Sequence, residues 1–309
     1  MRKACLNSIY KQAKKNNKII FIGSDLGPGV LDDFKTDFPD RFFMEGVSEQ
    51  FIIGMSAGLA FDGFLPYVNT ISTFLTRRCL EQIIVDLCMH NLPVKLIGNG
   101  GGLVYAPLGP THQAVDDIAL MRSIPNMSII SPCDAHEMEA LIEKSVNWPH
   151  PLYVRIAKGG DKIISDKIQT FEIGKSITYK ESNKAVILST GIMTQKALEI
   201  ITDLSNEDID VGLTHLHTVT PLDYKKIDEL IKNVEHIFTL EEHFIVNGFG
   251  TSILEYCNNN FQEYTNKIYR FALPFDFPDQ YGNQETLINH MGLNNEKIKK
   301  EIKQKIGKA

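Results

Sequence analysis

Apolar runs of strand length alternate with apolar positions at helical spacing along nearly the whole chain. That alternation predicts parallel α/β layers. The first series of predicted strands is Ile19–Ile22, Arg41–Met44, Pro66–Asn69, Val94–Ile97, Met127–Ile130 and Leu152–Ile156. Helical patterns precede and separate them: one at the N-terminus through Leu6, Ile9, Tyr10 and Ala13, then Gln50–Asp62, Arg78–His90, Asp116–Arg122 and Ala135–Asn147. Between 158 and 184 the pattern weakens and polar residues dominate. A second series follows: Ala185–Ser189, a helix over Thr194–Leu204, Val211–His215, a helix over Tyr224–Ile231, His236–Glu241, a helix over Gly248–Asn258, and Ile268–Phe271. The expectation is an α/β protein of two domains, 1–165 and 184–309, joined by a linker over 166–183.

Within the first domain, the helix from Gln50 is rich in Gly54, Ser56, Ala57, Gly58 and Ala60. Glycine lowers helix propensity, so small residues here predict close packing against another backbone.

Composition narrows the function classes. A chain of 309 residues suits two domains, and 43% hydrophobic with 23% charged residues is ordinary for a globular protein. A net charge of −6 gives no reason to expect nucleic acid or a membrane surface. The C-terminal lysines lie on an amphipathic helix and read as a solvated face. No apolar stretch is long enough to span a bilayer, and the N-terminal helix does not read as a signal peptide. Cys5, Cys79, Cys88, Cys133 and Cys257 are isolated and lack metal-ligand spacing. They are expected to be reduced, buried and small, in a cytoplasmic protein.

Three places could carry chemistry. In Glu45-Gly46-Val47-Ser48-Glu49-Gln50 a carboxylate stands where a strand hands over to a helix, and Thr73-Phe74-Leu75 puts an aromatic at a later strand end. Both would project from the sheet edge where open α/β folds bind ligands. A carboxylate beside an aromatic face suits an aminopyrimidine, offering an acceptor for a ring proton and a surface for stacking. Glu49 alone equally fits a first-turn carboxylate favoured by the helix dipole. The second place is Asn99-Gly100-Gly101-Gly102 with Leu108-Gly109-Pro110-Thr111-His112-Gln113, where glycines allow close backbone approach and His112 could exchange protons or stabilise a turn. The third is Arg155 at a strand end with Lys158 beyond it, suited to a phosphate or a surface ion pair. His215 and His217 read as structural, and Glu241-Glu242-His243 does not read as a metal site. Gly23-Ser24-Asp25-Leu26-Gly27-Pro28-Gly29 matches neither the dinucleotide fingerprint nor the Walker loop.

Taken in this order, Gly23-Ser24-Asp25-Leu26, the Glu45–Gln50 stretch, Ser72-Thr73-Phe74-Leu75, Gly109-Pro110-Thr111-His112-Gln113 and Tyr153-Val154-Arg155 resemble the C-terminal part of a transketolase. Thr220-Pro221-Leu222-Asp223 and Glu241-Glu242-His243 resemble that family's C-terminal domain. The resemblance implies a parallel-sheet pyrimidine-binding thiamine-diphosphate fold followed by a transketolase C-terminal α/β domain. The family's Gly-Asp-Gly diphosphate motif is absent, and Met1 stands directly before the first helix. The resemblance therefore implies one subunit of a split transketolase. A separate N-terminal subunit would carry the diphosphate and its Mg²⁺ or Ca²⁺, in an α2β2 heterotetramer with this chain self-associated at the centre.

On that resemblance Glu49 would hydrogen-bond the pyrimidine of thiamine diphosphate and promote its imino tautomer, and Phe74 would stack on it. Asp25, Leu26 and Arg77 would lie near the cofactor. His112 would contact the sugar, and Arg155 would bind its phosphate. Where transketolases place an aspartate that reads a donor hydroxyl, this chain has Leu108, which implies an unusual donor or acceptor, such as a deoxy, amino or branched sugar. Competing readings are a 1-deoxyxylulose-5-phosphate-synthase-like enzyme, the β subunit of a 2-oxoacid dehydrogenase's decarboxylating component, and a non-enzymatic paralogue.

Overall fold

The structure, a computed structural model, describes residues 1–24, 31–157, 161–165 and 171–307. Both series of strands form sheets. The first contains β1 (Ile19–Gly23), β2 (Phe42–Met44), β3 (Leu65–Ile71), β4 (Lys95–Asn99), β5 (Ser128–Ile130) and β6 (Leu152–Ile156), all parallel. The second contains β7 (Ile177–Lys180), β8 (Ala185–Ser189), β9 (Gly212–His215), β11 (His236–Phe244) and β12 (Ile268–Leu273), in the order β12-β11-β8-β9-β7. Every residue of β1, β4, β6 and β8 is buried, which is why these strands read as unbroken apolar runs.

Two strands depart from the sequence reading. β7 lies inside the stretch expected to be linker and pairs antiparallel with β9 at the edge of the second sheet. β10 (Thr218–Thr220) leaves the second series and pairs antiparallel with β5. Among the described residues the first sheet therefore has seven strands, in the order β10-β5-β6-β4-β3-β1-β2, with one edge supplied by the C-terminal half. The core is continuous across this seam: Ile20, Val68 and Tyr153 belong to the same buried cluster as Val186, Leu188, Leu216 and Ile227.

The expected helix over 78–90 is a short α-helical turn, Leu80–Gln82, running into a π-helical turn, Ile83–Cys88. The small residues of helix Glu49–Phe61 also divide. Ser56, Ala57 and Ala60 are buried, whereas Gly54 and Gly58 face outward. A Cβ at Gly58 would meet nothing within 4 Å. Among the described residues, the expected close-packed backbone is not supplied to Gly58. All five cysteines are buried and free. No helix among the described residues is long and apolar enough to cross a membrane.

Candidate active site

The chain leaves β2 through Gly46, whose φ of +65° is easily adopted without a Cβ, and enters helix Glu49–Phe61 with Glu49 as its first residue. Apolar Ile52 and Ile53 seat that helix in the core. Glu49 thus has a buried carboxylate at a helix N-terminus, where the dipole favours negative charge. Ser24 Oγ donates to the Gly46 carbonyl at 2.5 Å and lies 3.2 Å from Glu49 Oε1. Arg78 Nη1 donates to Glu49 Oε2 at 2.5 Å.

Phe74 lies on the short helix Ser72–Thr76 that directly follows β3. The Arg78 guanidinium carbon stands 4.4 Å from the centroid of its ring. The His112 imidazole and the Phe74 ring meet edge to face, with centroids 5.0 Å apart. Glu49, Arg78, Phe74 and His112 therefore form one contiguous line at the carboxyl edge of the first sheet. The sequence reading missed Arg78. It lies in the turn between helix Ser72–Thr76 and the helical turn Leu80–Gln82, close in sequence to Phe74.

Arg77 faces the other way. Its Nε and Nη2 donate to the Asp116 carboxylate at 2.8–3.1 Å, its Nη2 to the Gln113 carbonyl at 2.9 Å, and its Nη1 to the Pro110 carbonyl at 3.4 Å. It clamps both ends of the segment that carries His112. Leu103 and Ala106 upstream and Val115 downstream anchor the same loop in the core of the C-terminal half. Leu108 is 53% exposed on this loop, beside Gly109, against which Tyr281 packs.

The glycine run has a different purpose from the one expected. A Cβ at Gly100 would strike the Tyr105 ring at 2.1 Å, at Gly101 the Arg155 side chain at 2.5 Å, and at Gly102 the Glu242 carboxyl at 2.4 Å. These glycines admit the protein's own side chains, so no ligand approach follows from them.

Arg155 lies on β6 and reaches the C-terminal half of the chain. It is buried, and its Nε donates to Asp117 Oδ2 at 2.7 Å while its Nη2 donates to the carbonyls of Ala114 and Glu242 at 3.0 and 2.9 Å. Burial alone would weaken the cation, but Asp117 outweighs it and the pKa is raised. Through Nε and Nη2 these contacts join the two halves of the chain.

Glu241, Glu242 and His243 join the same seam. Glu241 accepts from the Phe249 and Gly250 backbone amides and caps helix Phe249–Asn260, and Glu242 accepts from Leu103 N at 2.7 Å. His243 Nε2 accepts from Ala119 N at 3.2 Å. His215 Nε2 meets Glu137 Oε2 at 3.0 Å with both side chains fully buried, and Cys133 lies in the same cluster. Asp25, Leu26 and Lys158 lie outside the described residues.

Known proteins share this two-part arrangement. The pyrimidine-binding domain of transketolase matches residues 1–160, and the transketolase C-terminal domain matches residues 174–298. A 1-deoxy-D-xylulose-5-phosphate synthase of Caldanaerobacter subterraneus is 34% identical over 96% of this chain and 47% of its own length. One from Clostridium perfringens is 34% identical over 95% of this chain and 47% of its own. The chain thus spans about half the length of these curated relatives. A putative uncharacterized transketolase family protein of Sinorhizobium fredii is 32% identical over 78% of this chain and 70% of its own. Among solved structures, a split-gene transketolase, in the form of an inactive β4 tetramer, is 28% identical with a TM-score of 0.90. That match covers 99% of this chain and 98% of the other. A transketolase from Pichia stipitis shares the fold, with a TM-score of 0.80 at 18% identity over 99% of this chain and 45% of its own. With a pyrimidine-binding domain followed by a C-terminal domain, the chain belongs to the transketolase family.

Proposed function

We propose that this chain is the C-terminal subunit of a two-chain, thiamine-diphosphate-dependent transketolase that moves a two-carbon ketol unit between sugars. The observation that carries the reading is the buried Glu49 carboxylate beside the Phe74 face, with a flat N–H-bearing group already docked on both. That donor and acceptor set fits an aminopyrimidine. When bound, thiamine diphosphate supplies the nucleophilic carbon that a ketose carbonyl needs. This chain's part is to hold and orient. Glu49 would share a proton with the ring nitrogen, Phe74 would stack on the ring, and His112 would offer an imidazole nitrogen to a sugar oxygen. Arg77 positions the loop that carries His112. Asp25 and Leu26 are assigned here to the cofactor side on the family resemblance alone.

The diphosphate and its Mg²⁺ or Ca²⁺ belong to a separate subunit in this reading. Support comes from the half-length coverage of the curated relatives and the near-complete coverage of the split-gene chain. The β4 form of that neighbour favours self-association of this chain, within an α2β2 enzyme. Met44, Val47 and Phe51 flank Glu49 and are exposed apolar residues suited to cover by another chain.

A second reading has a specific observation behind it. The curated relatives at 34% identity are named 1-deoxy-D-xylulose-5-phosphate synthases. A 1-deoxy ketose phosphate requires a two-carbon unit without its terminal hydroxyl. Leu108, which cannot accept a hydrogen bond from such a hydroxyl, suits that unit.

Calorimetry with thiamine diphosphate and Mg²⁺ tests the split-enzyme reading, using this chain alone and then with a candidate diphosphate subunit. Binding and ketol transfer only with the partner are the expected result. Tight metal-dependent binding by this chain alone refutes it. Feeding the pair a ketose phosphate, or pyruvate with a triose phosphate, separates the two readings by whether carbon dioxide is released.

A further inference from the structure

Arg78 holds both surfaces assigned to the aminopyrimidine. Its Nη1 donates to Glu49 Oε2 at 2.5 Å, and its guanidinium carbon lies 4.4 Å from the Phe74 centroid. Stacked atoms sit about 3.5–4.0 Å apart, so no further flat layer fits between this guanidinium and the ring. A guanidinium and the amino-substituted edge of an aminopyrimidine are alike in shape: planar, with in-plane N–H donors and a face that stacks on aromatics. They compete for one place.

The two partners of this ion pair are unequally held. The Glu49 side chain is 1% exposed and that of Arg78 is 40% exposed. A lone buried carboxylate is costly, so Glu49 needs a counter-group while no base is bound. Arg78 can leave into solvent. Its backbone stays anchored, because Gln50 Nε2 donates to the Arg78 carbonyl at 3.1 Å. The contrast with Arg77, committed to one carboxylate and two carbonyls, is plain.

We infer that Arg78 is a displaceable placeholder, whose guanidinium fills the aminopyrimidine position in the cofactor-free chain, keeps Glu49 paired, and swings out when the base docks. This rests on the reading of Glu49 and Phe74 as the pyrimidine site. The exchange keeps the buried carboxylate partnered in both states, and it makes Arg78 a determinant of cofactor affinity.

The test uses 4-amino-2,5-dimethylpyrimidine, a fragment with no phosphate, so that binding does not depend on the diphosphate subunit. It is titrated by ligand-observed NMR into the full chain and into Arg78→Ala, Arg78→Gln, Glu49→Gln and Phe74→Ala. Both Arg78 variants should bind the fragment about fivefold more tightly than wild type, the worth of a half-exposed ion pair. Glu49→Gln and Phe74→Ala should weaken it. If neither Arg78 variant binds more tightly, the placeholder is overturned while the pyrimidine site stands on the other two variants. If Glu49→Gln and Phe74→Ala leave binding unchanged, the pyrimidine-site reading itself fails and the placeholder falls with it.

Discussion

Replacing Arg155 with Met should damage the fold and leave the grip on a phosphorylated substrate alone. Met keeps most of the apolar stem, so the loss is electrostatic and not a cavity. The variant loses the 2.7 Å bond to Asp117 and the bonds to the carbonyls of Ala114 and Glu242 at 3.0 and 2.9 Å. Asp117 stays fully buried, with Tyr153 still donating to its Oδ2 at 2.8 Å. Its other oxygen, Oδ1, has no hydrogen-bond partner among the described residues even in the intact structure. Stranding one member of a buried ion pair costs about 3–5 kcal/mol, a large part of a total stability of roughly 5–15 kcal/mol. Because the cost is the stranded charge, adding Asp117→Asn to Arg155→Met should return part of it. Urea titration reads this as a lower midpoint with an unchanged slope, and substrate titration of the assembled enzyme reads the phosphate grip. An unfolding free energy within about 0.5 kcal/mol of wild type, together with a selective rise in KM for phosphorylated substrates, would refute the argument and return Arg155 to the phosphate.

The Glu137–His215 pair predicts acid sensitivity. Burial pushes the Glu137 carboxyl up, but the charge and hydrogen bond of His215 outweigh it and bring the pKa from 4.5 to about 2. A carboxyl whose folded pKa is depressed stabilises the fold above pH 4.5, and that contribution is lost as the pH falls toward 2. It amounts to roughly 3 kcal/mol, so Glu137→Gln should be less stable at neutral pH and flatter in acid. An unchanged acid profile would contradict this. His217, stacked on Phe171 and lowered by burial from 6.5 to about 4, works over a higher window. The unfolded chain takes up its proton first as pH falls below 6.5, so His217→Gln should flatten the stability loss between 6.5 and 4. Arg77→Ala should speed amide exchange over residues 109–116 with a midpoint change under about 1 kcal/mol, and Arg77→Lys should restore only part because it lacks the planar fork. Exchange in that loop equal to wild type would remove Arg77's positioning role. Leu108→Asp should shift donor preference toward substrates with a hydroxyl at the reading position, and an unchanged donor panel would sink that idea.

What was legible in the sequence follows from what is local. Strands buried on both faces announce themselves as apolar runs, so β1, β4, β6, β8 and β11 were placed to within a few residues. Glu49 was legible for the same reason, since a strand, a positive-φ glycine and a helix start are neighbours in sequence. Long-range partners were not. Nothing near Arg155 in sequence points to Asp117, 38 residues away, or to the Glu242 carbonyl, 87 residues away, and those partners are what hold it at the seam. The glycines at 100–102 show the same limit. Their lack of side chains predicted close approach correctly, but only the fold shows that Tyr105, Arg155 and Glu242 are what approaches. β10 is three residues long and pairs across the seam with β5, too short for any periodicity to mark it. Arg78 lies between these cases. Its nearness to Phe74 in sequence is readable, yet that alone pairs it with a ring and not with Glu49, 29 residues earlier. Only where both contacts meet does it become the group that the base has to displace.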